Sequence, residues 1–153
     1  MKKDIKKIIF LDLDGVLNIY AGKFPTYKMK LEHFETELIE NLNILLSLDK
    51  EIMLVMTSSW RSDYSDAINL LKNLGFKYEK RFIGATDILE VDRGLEIISW
   101  IDNNSYNGAY ICVDDIIETI SNHINVKYCL KTDPKKGLTK ENANYIYNYF
   151  NKY

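Results

Sequence analysis

The chain is poor in the residues that mark disordered, disulfide-rich or metal-cluster proteins. Its 153 residues include only two prolines, two cysteines, two histidines and seven glycines. Disordered low-complexity chains are usually rich in proline and glycine, so a folded chain is expected. Cys112 and Cys129 suit neither a zinc motif nor a disulfide framework, and we expect buried thiols. His33 and His123 have no partners at metal-ligand spacing.

The chain also lacks a strong net charge and a long hydrophobic run. Its formal net charge of -2 provides no overall attraction to nucleic acid, so any such contact needs a local basic patch. The first apolar run is interrupted by Asp12 after only a few residues, so it is too short for a signal peptide or a membrane span. A chain of this length can bury one compact core. We therefore expect a single cytoplasmic domain over residues 1–153 that makes no contact with membranes.

Short β-branched apolar runs alternate with longer amphipathic segments along the chain. This alternation predicts βαβ units around a central, mostly parallel sheet, which is a three-layer α/β/α sandwich. The predicted strands cover residues 8–11, 52–56, 82–83, 109–113 and 126–130. Helices are expected after the N-cap residues Thr36, Ser62, Asp92 and Thr139. The first strand is a continuous apolar run, which is typical of a central strand.

Polar residues follow three of the predicted strands. Asp12 and Asp14 follow the first strand, residues 57–61 follow the second, and Asp114 and Asp115 end the fourth. In an open α/β sheet, ligands bind beyond the carboxyl ends of the strands, so these residues should converge. Four carboxylates at one edge repel one another unless a cation binds, and their oxygen ligands favour Mg²⁺. Asp12 and Asp14 face the same side of an extended chain, so one can attack a substrate while the other transfers protons.

Residues 8–17, with the sequence IIFLDLDGVL, resemble the first motif of haloacid-dehalogenase phosphatases. The later motifs of that family also occur here in the same order along the chain. They are Thr57 at a strand end, a basic residue before the last acidic strand, and then Asp114 and Asp115. A narrower resemblance is to the phosphatase domain of multidomain "Swiss army knife" RNA repair proteins. It rests on TSSWR at 57–61, TDP at 132–134 and GLT at 137–139.

The resemblance implies a covalent mechanism that depends on magnesium. Asp12 would attack phosphorus and form an aspartyl phosphate, while Asp14 would protonate the leaving oxygen and then activate water. Asp12, Asp114 and the main-chain carbonyl of Asp14 would hold Mg²⁺. Asp115 would bind the ion or orient a metal-bound water.

Phosphoryl binding is expected to use a hydroxyl and a basic side chain. Thr57 would donate a hydrogen bond to a phosphoryl oxygen, with Ser58 as the alternative because the hydroxyl residues are consecutive. Arg93 is the best-placed basic residue, at the start of the helix before the last acidic strand, where the family more often has lysine. Lys80 and Arg81 are the alternatives for this role.

Several residues near the motifs have both a structural and a functional explanation. Trp60 can pack against a helix or stack on a base, and Arg61 can pair with a carboxylate or bind substrate phosphate. Lys135 and Lys136 can border the site or form a solvated pair. The aromatic residues of the C-terminal helix are expected to pack against the domain rather than to bind nucleic acid.

The segments between the motifs are too short for a separate cap domain. Only residues 18–35 and 62–92 are available, and part of the second range is helical. Relatives without a cap leave the site open to large substrates, so the resemblance favours a phosphorylated RNA or DNA end as the substrate. A mononucleotide or another small phosphate ester is the alternative.

Two hypotheses from other functional classes compete with a phosphatase. A signalling receiver domain also has a phosphoaccepting aspartate in an acidic magnesium site. Its acidic pair follows the first strand, however, whereas here the Asp-x-Asp comes first and the pair comes late. A binding module without catalysis is the other hypothesis, and the presence of all four acids argues against it. A calcium loop is disfavoured because its later ligands are missing after Asp14.

Overall fold

The computed structural model describes residues 4–19 and 34–153, so the prediction for His33 lies outside the described residues. Five strands and five α-helices occur within these ranges. The strands are β1 (Lys7–Leu11), β2 (Ile52–Met56), β3 (Phe82–Ala85), β4 (Ala109–Asp114) and β5 (Cys129–Lys131). The helices are α1 (Thr36–Leu48), α2 (Tyr64–Asn73), α3 (Arg93–Asn103), α4 (Glu118–Ser121) and α5 (Lys140–Phe150).

All five strands form one parallel sheet in the order β3-β2-β1-β4-β5. The central strand β1 is buried at every residue, as its apolar sequence predicted. The crossover direction reverses between β1 and β4, and the carboxyl edge at such a point is where α/β sheets bind ligands. The predicted α/β fold with a parallel central sheet is confirmed.

Alternate residues of β1 point to opposite helical layers. Ile9 and Leu11 pack in a core with residues of α1, α2 and α5, whereas Ile8 and Phe10 pack in a smaller core with α3 and α4. Burial of each such side chain stabilises the fold by about 1.5–3 kcal/mol. Burial on both faces also specifies the register, because a shift of one residue would exchange the two faces of the strand.

Helix starts differ from the predictions at two of four positions. Thr139 caps α5 through a reciprocal capping box, and Asp92 occupies the N-cap position of α3, as predicted. Thr36 is instead the first helical residue of α1. Ser62 does not cap α2, because the chain first forms a 3₁₀ turn over Ser59–Asp63. A hydroxyl residue near a helix start can therefore serve the preceding turn instead of the cap.

The last strand is shorter than the predicted range 126–130. Val126–Tyr128 form a 3₁₀ turn, and β5 begins only at Cys129. The side chain of Asn125 accepts a hydrogen bond from the amide of Lys127, at 3.0 Å. This local bond offers the backbone an alternative to the extended conformation, which the apolar pattern alone did not indicate.

Candidate active site

The register of the sheet aligns three of the predicted site residues. The last residue of β1, Leu11, lies opposite the last residue of β2 and opposite Val113 of β4. The residues that follow these positions are Asp12, Thr57 and Asp114. Backbone pairing continues beyond the strands, since the amide of Asp12 donates to the carbonyl of Val113 at 3.0 Å. The three side chains therefore start from adjacent positions at the carboxyl edge.

Among the described residues, a cleft of about 390 Å³ lies at this edge. Its lining includes Asp12, Asp14, Asp114 and Asp115, and Arg93 is the one cationic side chain among its described lining residues. A smaller groove of about 160 Å³ between α1 and α5 is largely apolar, with no carboxylate among its described lining residues. The acidic cleft is therefore the candidate active site.

Three buried carboxylates form the centre of the cleft. Asp12, Asp114 and Asp115 each offer an oxygen, and these atoms lie within 4.8 Å of one another. Burial and the neighbouring carboxylate of Asp114 raise the pKa of Asp12 well above its ordinary value, although the guanidinium of Arg93 acts in the opposite direction. A cation among these oxygens would relieve the repulsion. The pure oxygen donor set fits Mg²⁺, as the sequence predicted.

Gly15 allows the close approach of Asp115 to the Asp-x-Asp segment. Its φ angle is 76°, a left-handed conformation that glycine adopts without strain. A Cβ atom at this position would lie 2.6 Å from the carboxyl group of Asp115. Glycine at this position therefore allows both the sharp turn after β1 and the short distance between Asp115 and the Asp-x-Asp segment.

Arg93 contacts two of the acids from the start of α3. Its Nη1 lies 2.6 Å from Oδ2 of Asp114 and 3.3 Å from Oδ1 of Asp12. Burial would lower the pKa of Arg93, but these two carboxylates outweigh it and the net shift is upward. The guanidinium is therefore a permanent positive charge beside the predicted nucleophile.

The two alternatives to Arg93 lie elsewhere. Arg81 is at the amino edge of the sheet, where its guanidinium donates to the carbonyls of Leu46, Asp49 and Ile52. Lys80 is an exposed residue of the turn before β3. This geometry favours Arg93 for the basic role, which stays a prediction.

Asp14 is held through one carboxylate oxygen. Its Oδ1 accepts hydrogen bonds from Nδ2 of Asn18 at 2.9 Å and from Nε1 of Trp60 at 3.0 Å. The side chain of Asn18 in turn accepts a bond from the amide of Gly15 at 2.9 Å. Trp60 packs edge-to-face on Phe34, with ring centroids 5.6 Å apart. Two donors on Oδ1 leave Oδ2 as the oxygen that can carry a proton.

Asn18 and the indole of Trp60 are contacts that sequence reasoning missed. The amide of Leu17 donates to the carbonyl of Leu13, which is a helical type of turn, and such a turn brings residues four apart together. An asparagine four residues after Asp14 was therefore a usable local signal. No comparable signal links Trp60 to Asp14, because they come from different strand ends.

The hydroxyl residues after β2 differ in their contacts. Thr57 and Ser58 are both buried. Oγ of Ser58 accepts a hydrogen bond from the amide of Trp60 at 3.2 Å, so this hydroxyl supports the local turn. Thr57 follows β2 directly, level with Asp12. These positions favour Thr57 over Ser58 for phosphoryl binding, and both roles stay predictions.

Arg61 is not among the residues that line the cleft. Its Nη2 donates to both carboxylate oxygens of Glu96, at 2.8 and 2.9 Å. The structure therefore agrees with the explanation that Arg61 pairs with a carboxylate. Direct contact between Arg61 and a substrate phosphate is a prediction that these contacts do not support.

The remaining predicted features lie away from the acids. Lys135 and Lys136 are exposed in the turn after β5 and are not among the lining residues of the cleft. Among the C-terminal aromatic residues, Tyr149 and Phe150 are buried as expected, whereas Tyr145 and Tyr153 are exposed. Cys112 is buried as expected, while Cys129 is only partly buried. No helix within the described ranges is long and apolar enough to cross a membrane.

Comparison with protein families gives one match over most of the chain. Residues 8–143 match the model of a family described as the HAD domain in Swiss Army Knife RNA repair proteins. The matched range includes the acid cluster, Arg93 and the residues after β2. No curated protein and no solved structure matches the chain significantly.

Proposed function

The chain belongs to the family of HAD domains in Swiss Army Knife RNA repair proteins, and from this premise we propose that it is a magnesium-dependent phosphomonoesterase. The family supports a hydrolase of the phosphatase type. The acid cluster carries the more specific proposal, because Asp12, Asp114 and Asp115 lie within 4.8 Å of one another and Arg93 contacts two of them. Such a site suits a phosphoryl group and its counter-charges.

Asp12 acts as the nucleophile in this proposal. One of its carboxylate oxygens attacks phosphorus in line with the leaving oxygen, a new phosphorus–oxygen bond forms, and the bond to the leaving oxygen breaks. Arg93 stabilises the charge on the phosphoryl oxygens, and the hydroxyl of Thr57 donates a hydrogen bond to one of them. Magnesium held by Asp12, Asp114, Asp115 and the main-chain carbonyl of Asp14 would supply further positive charge.

Asp14 moves the protons. In its acid form the proton lies on Oδ2, because Oδ1 already accepts the bonds from Asn18 and Trp60. This proton passes to the leaving oxygen as the first bond breaks. Asp14 then accepts a proton from the water that attacks the phosphoaspartate. The bond between phosphorus and the Asp12 oxygen breaks, inorganic phosphate is released and the Asp12 carboxylate is regenerated.

A terminal phosphate of RNA or DNA is the proposed substrate. The RNA repair context of the family supports this choice, and so does the cleft, which is open to solvent as far as the described residues show. A mononucleotide or another small phosphate ester is the alternative, and the predominance of carboxylates in the cleft lining is the observation that favours it. Polyanions bind through basic side chains, and Arg93 is the one cation among the described lining residues.

Two measurements test the proposal. Release of phosphate from an aryl phosphate should require Mg²⁺ and stop on chelation, and undiminished release after exhaustive chelation would contradict the metal requirement. Values of kcat/KM for 3′- and 5′-phosphorylated oligonucleotides and for the matching mononucleotides, at two ionic strengths, then identify the substrate class. Oligonucleotides should react faster and should lose more activity as salt rises. If mononucleotides react faster at both ionic strengths, the nucleic-acid substrate is wrong.

A further inference from the structure

A buried ion pair outside the acid cluster joins two elements that border the cleft. Arg61 lies in the 3₁₀ turn after β2, and Glu96 lies in the first turn of α3. Nη2 of Arg61 donates to both carboxylate oxygens of Glu96, at 2.8 and 2.9 Å, and the two side chains are only 6% and 5% exposed. Such a bidentate geometry restricts the orientation of both partners.

Each partner also binds a piece of backbone. Nη1 of Arg61 donates to the carbonyls of Thr57 and Ser58, at the end of β2. Oε2 of Glu96 accepts a hydrogen bond at 2.8 Å from the amide of Leu89, which lies in the loop between β3 and α3. The ion pair therefore connects the segment after β2, the loop after β3 and the helix α3.

The bonds to Arg61 determine how the peptide groups beside the cleft are turned. In a trans peptide the C=O and the N–H point in opposite directions. Because the carbonyls of Thr57 and Ser58 face Arg61, the amides of Ser58 and Ser59 point away from it. Ser59 lines the acidic cleft. The guanidinium thus orients the backbone next to the predicted phosphoryl-binding hydroxyl of Thr57.

The bond to Glu96 holds the helix that carries the basic residue of the cleft. Glu96 comes three residues after Arg93 in α3, which is about one helical turn. Any shift of this turn therefore moves both side chains together. Nη1 of Arg93 lies 2.6 Å from Oδ2 of Asp114, so such a shift changes the charge arrangement at the acids.

Stability alone does not account for this pair. Taking two charges out of water is costly, and apolar replacements of buried ion pairs are often neutral or stabilising. Arg61 adds to that cost, because its Nε is buried and has no hydrogen-bond partner among the described residues. The Arg61–Glu96 pair differs from other buried pairs in that its backbone contacts fix three segments that border the cleft.

We propose that Arg61 and Glu96 are positioning residues, whose ion pair sets the Thr57–Ser59 backbone and the Arg93-bearing helix at the mutual distance that phosphoryl transfer requires. This inference rests on the proposed phosphatase function. Glu96 lines the cleft and Arg61 does not, and the proposal assigns neither residue a contact with the substrate. Their effect reaches the reaction through Thr57 on one side and Arg93 on the other.

A pair of matched double variants tests the proposal. Arg61→Met with Glu96→Leu removes the buried pair beside the cleft. Lys7→Met with Asp49→Leu removes a second buried pair, whose charged atoms are 2.7 Å apart and whose side chains are 11% and 10% exposed. The second pair lies at the opposite, amino edge of the sheet, so it controls for the loss of a buried ion pair as such.

We expect the first variant to remain folded and to lose kcat for an aryl phosphate by about ten- to a hundredfold, since small misplacements cost this much. Its KM should change less than its kcat. The control should keep both constants. Full kcat in the first variant, or an equal loss in the control, would overturn the proposal. If the first variant does not fold, the isosteric Glu96→Gln replaces it, and an unchanged kcat there would overturn the proposal equally.

A spectroscopic measurement separates this inference from the proposed function. The ¹⁵N–¹H signal of the Arg93 Nε group reports on the surroundings of that guanidinium whether or not the protein hydrolyses phosphate. Inactive wild-type protein would contradict the proposed function alone. The Arg93 signal should shift in the Arg61 and Glu96 variant and stay in place in the Lys7 and Asp49 control. A signal that is unchanged in both variants would contradict the positioning role.

Discussion

At the amino edge of the sheet, the ammonium group of Lys7 lies 2.7 Å from Oδ2 of Asp49. At the carboxyl edge, by contrast, the buried acids Asp12, Asp114 and Asp115 lie close together beside the guanidinium of Arg93. Both edges bury charge next to the same central strand. The amino edge pairs opposite charges, whereas the carboxyl edge gathers more negative than positive charge.

The pKa shifts at the two edges have opposite consequences for stability. Burial would raise the pKa of Asp49, but the hydrogen bonds from Lys7 and from the amide of Glu51, together with the charges of Lys7 and Arg81, outweigh it and the pKa is lowered. Its ionised form is therefore stabilised by folding. Burial raises the pKa of Asp12, and Asp114 raises it further, so its ionised form is destabilised by folding. Functional sites typically hold like-charged groups close together although their repulsion destabilises the folded protein.

The largest effect on turnover is expected for Asp12→Asn. An amide cannot form the phosphoaspartate, so kcat for an aryl phosphate should fall by roughly a thousandfold or more. Steady-state phosphate release with saturating Mg²⁺ measures the loss. Wild-type turnover in a folded variant would contradict the role of Asp12 as nucleophile.

The same variant should differ from wild type in the pH dependence of stability. Because the pKa of Asp12 is raised in the folded state, its ionisation destabilises the metal-free protein as pH rises from the ordinary carboxyl pKa, about 4, toward the raised value. Asp12→Asn lacks the ionisable carboxyl group, so it should avoid this destabilisation and have a higher Tm than wild type at neutral pH in the presence of a chelator. Thermal unfolding at several pH values measures it. A lower Tm for the variant at every pH would contradict the charge repulsion inferred here.

The next largest effect is expected for Arg93→Ala. Loss of its guanidinium should remove about 2–4 kcal/mol of transition-state stabilisation, by analogy with the loss of one oxyanion donor. Arg93→Lys keeps a positive charge and should lose less. Arg81→Ala, at the amino edge, is the matched control and should leave kcat/KM unchanged. If Arg81→Ala reduced kcat/KM as much as Arg93→Ala, the assignment of the basic role would be wrong.

A smaller effect is expected for Trp60→Phe. This substitution keeps an aromatic ring but removes the indole N–H that donates to Oδ1 of Asp14. Bonds to charged groups contribute about 1.5–3 kcal/mol, so kcat for an alkyl phosphate should fall about tenfold or more. An aryl phosphate with a good leaving group should be affected less, because it needs little proton donation. Trp100→Phe, in α3, should change neither rate. Equal losses on both substrates would argue against an effect through Asp14.

The smallest effect on turnover is expected at the amino edge, although the effect on stability there is large. Lys7→Met leaves Asp49 buried without its ammonium partner and should reduce the free energy of unfolding by about 3 kcal/mol. The lowered pKa of Asp49 means that its contribution is present at neutral pH and is lost as pH falls below about 4. Denaturant unfolding at pH 7 and in acid measures both. If Lys7→Met reduced kcat but left the free energy of unfolding unchanged, the proposed difference between the two edges of the sheet would be wrong.

The sheet and its acids could be predicted because each depends on local pattern. Apolar runs such as residues 8–11 indicate buried strands, and the acids directly after them lie at the carboxyl edge of any parallel sheet. The order of the motifs then identified Asp12, Asp114 and Arg93 as residues that should meet. The contacts of Arg93 agree with that expectation.

The partners of Asp14, Arg61 and Lys7 could not be predicted in this way. Trp60 lies in the 3₁₀ turn after β2 and Glu96 lies in α3, and these elements approach their partners only after the sheet has formed. Spacing along the chain therefore carries no information on such contacts. The start of β5 was missed for a local reason, the bond between Asn125 and the amide of Lys127. Contacts between side chains of different secondary-structure elements are therefore known from the structure and not from the sequence pattern.

Detection of a phosphoryl group on Asp12 tests the central claim most directly. The protein is mixed with Mg²⁺ and an aryl phosphate, quenched in acid within one turnover, and digested for peptide mass spectrometry. The Asp14→Asn variant should accumulate the intermediate, because it lacks the base that activates water. We predict phosphorylation of Asp12 in both proteins and its loss in Asp12→Asn. Phosphorylation of any other residue, or turnover without a phosphorylated Asp12 in either protein, would contradict the account.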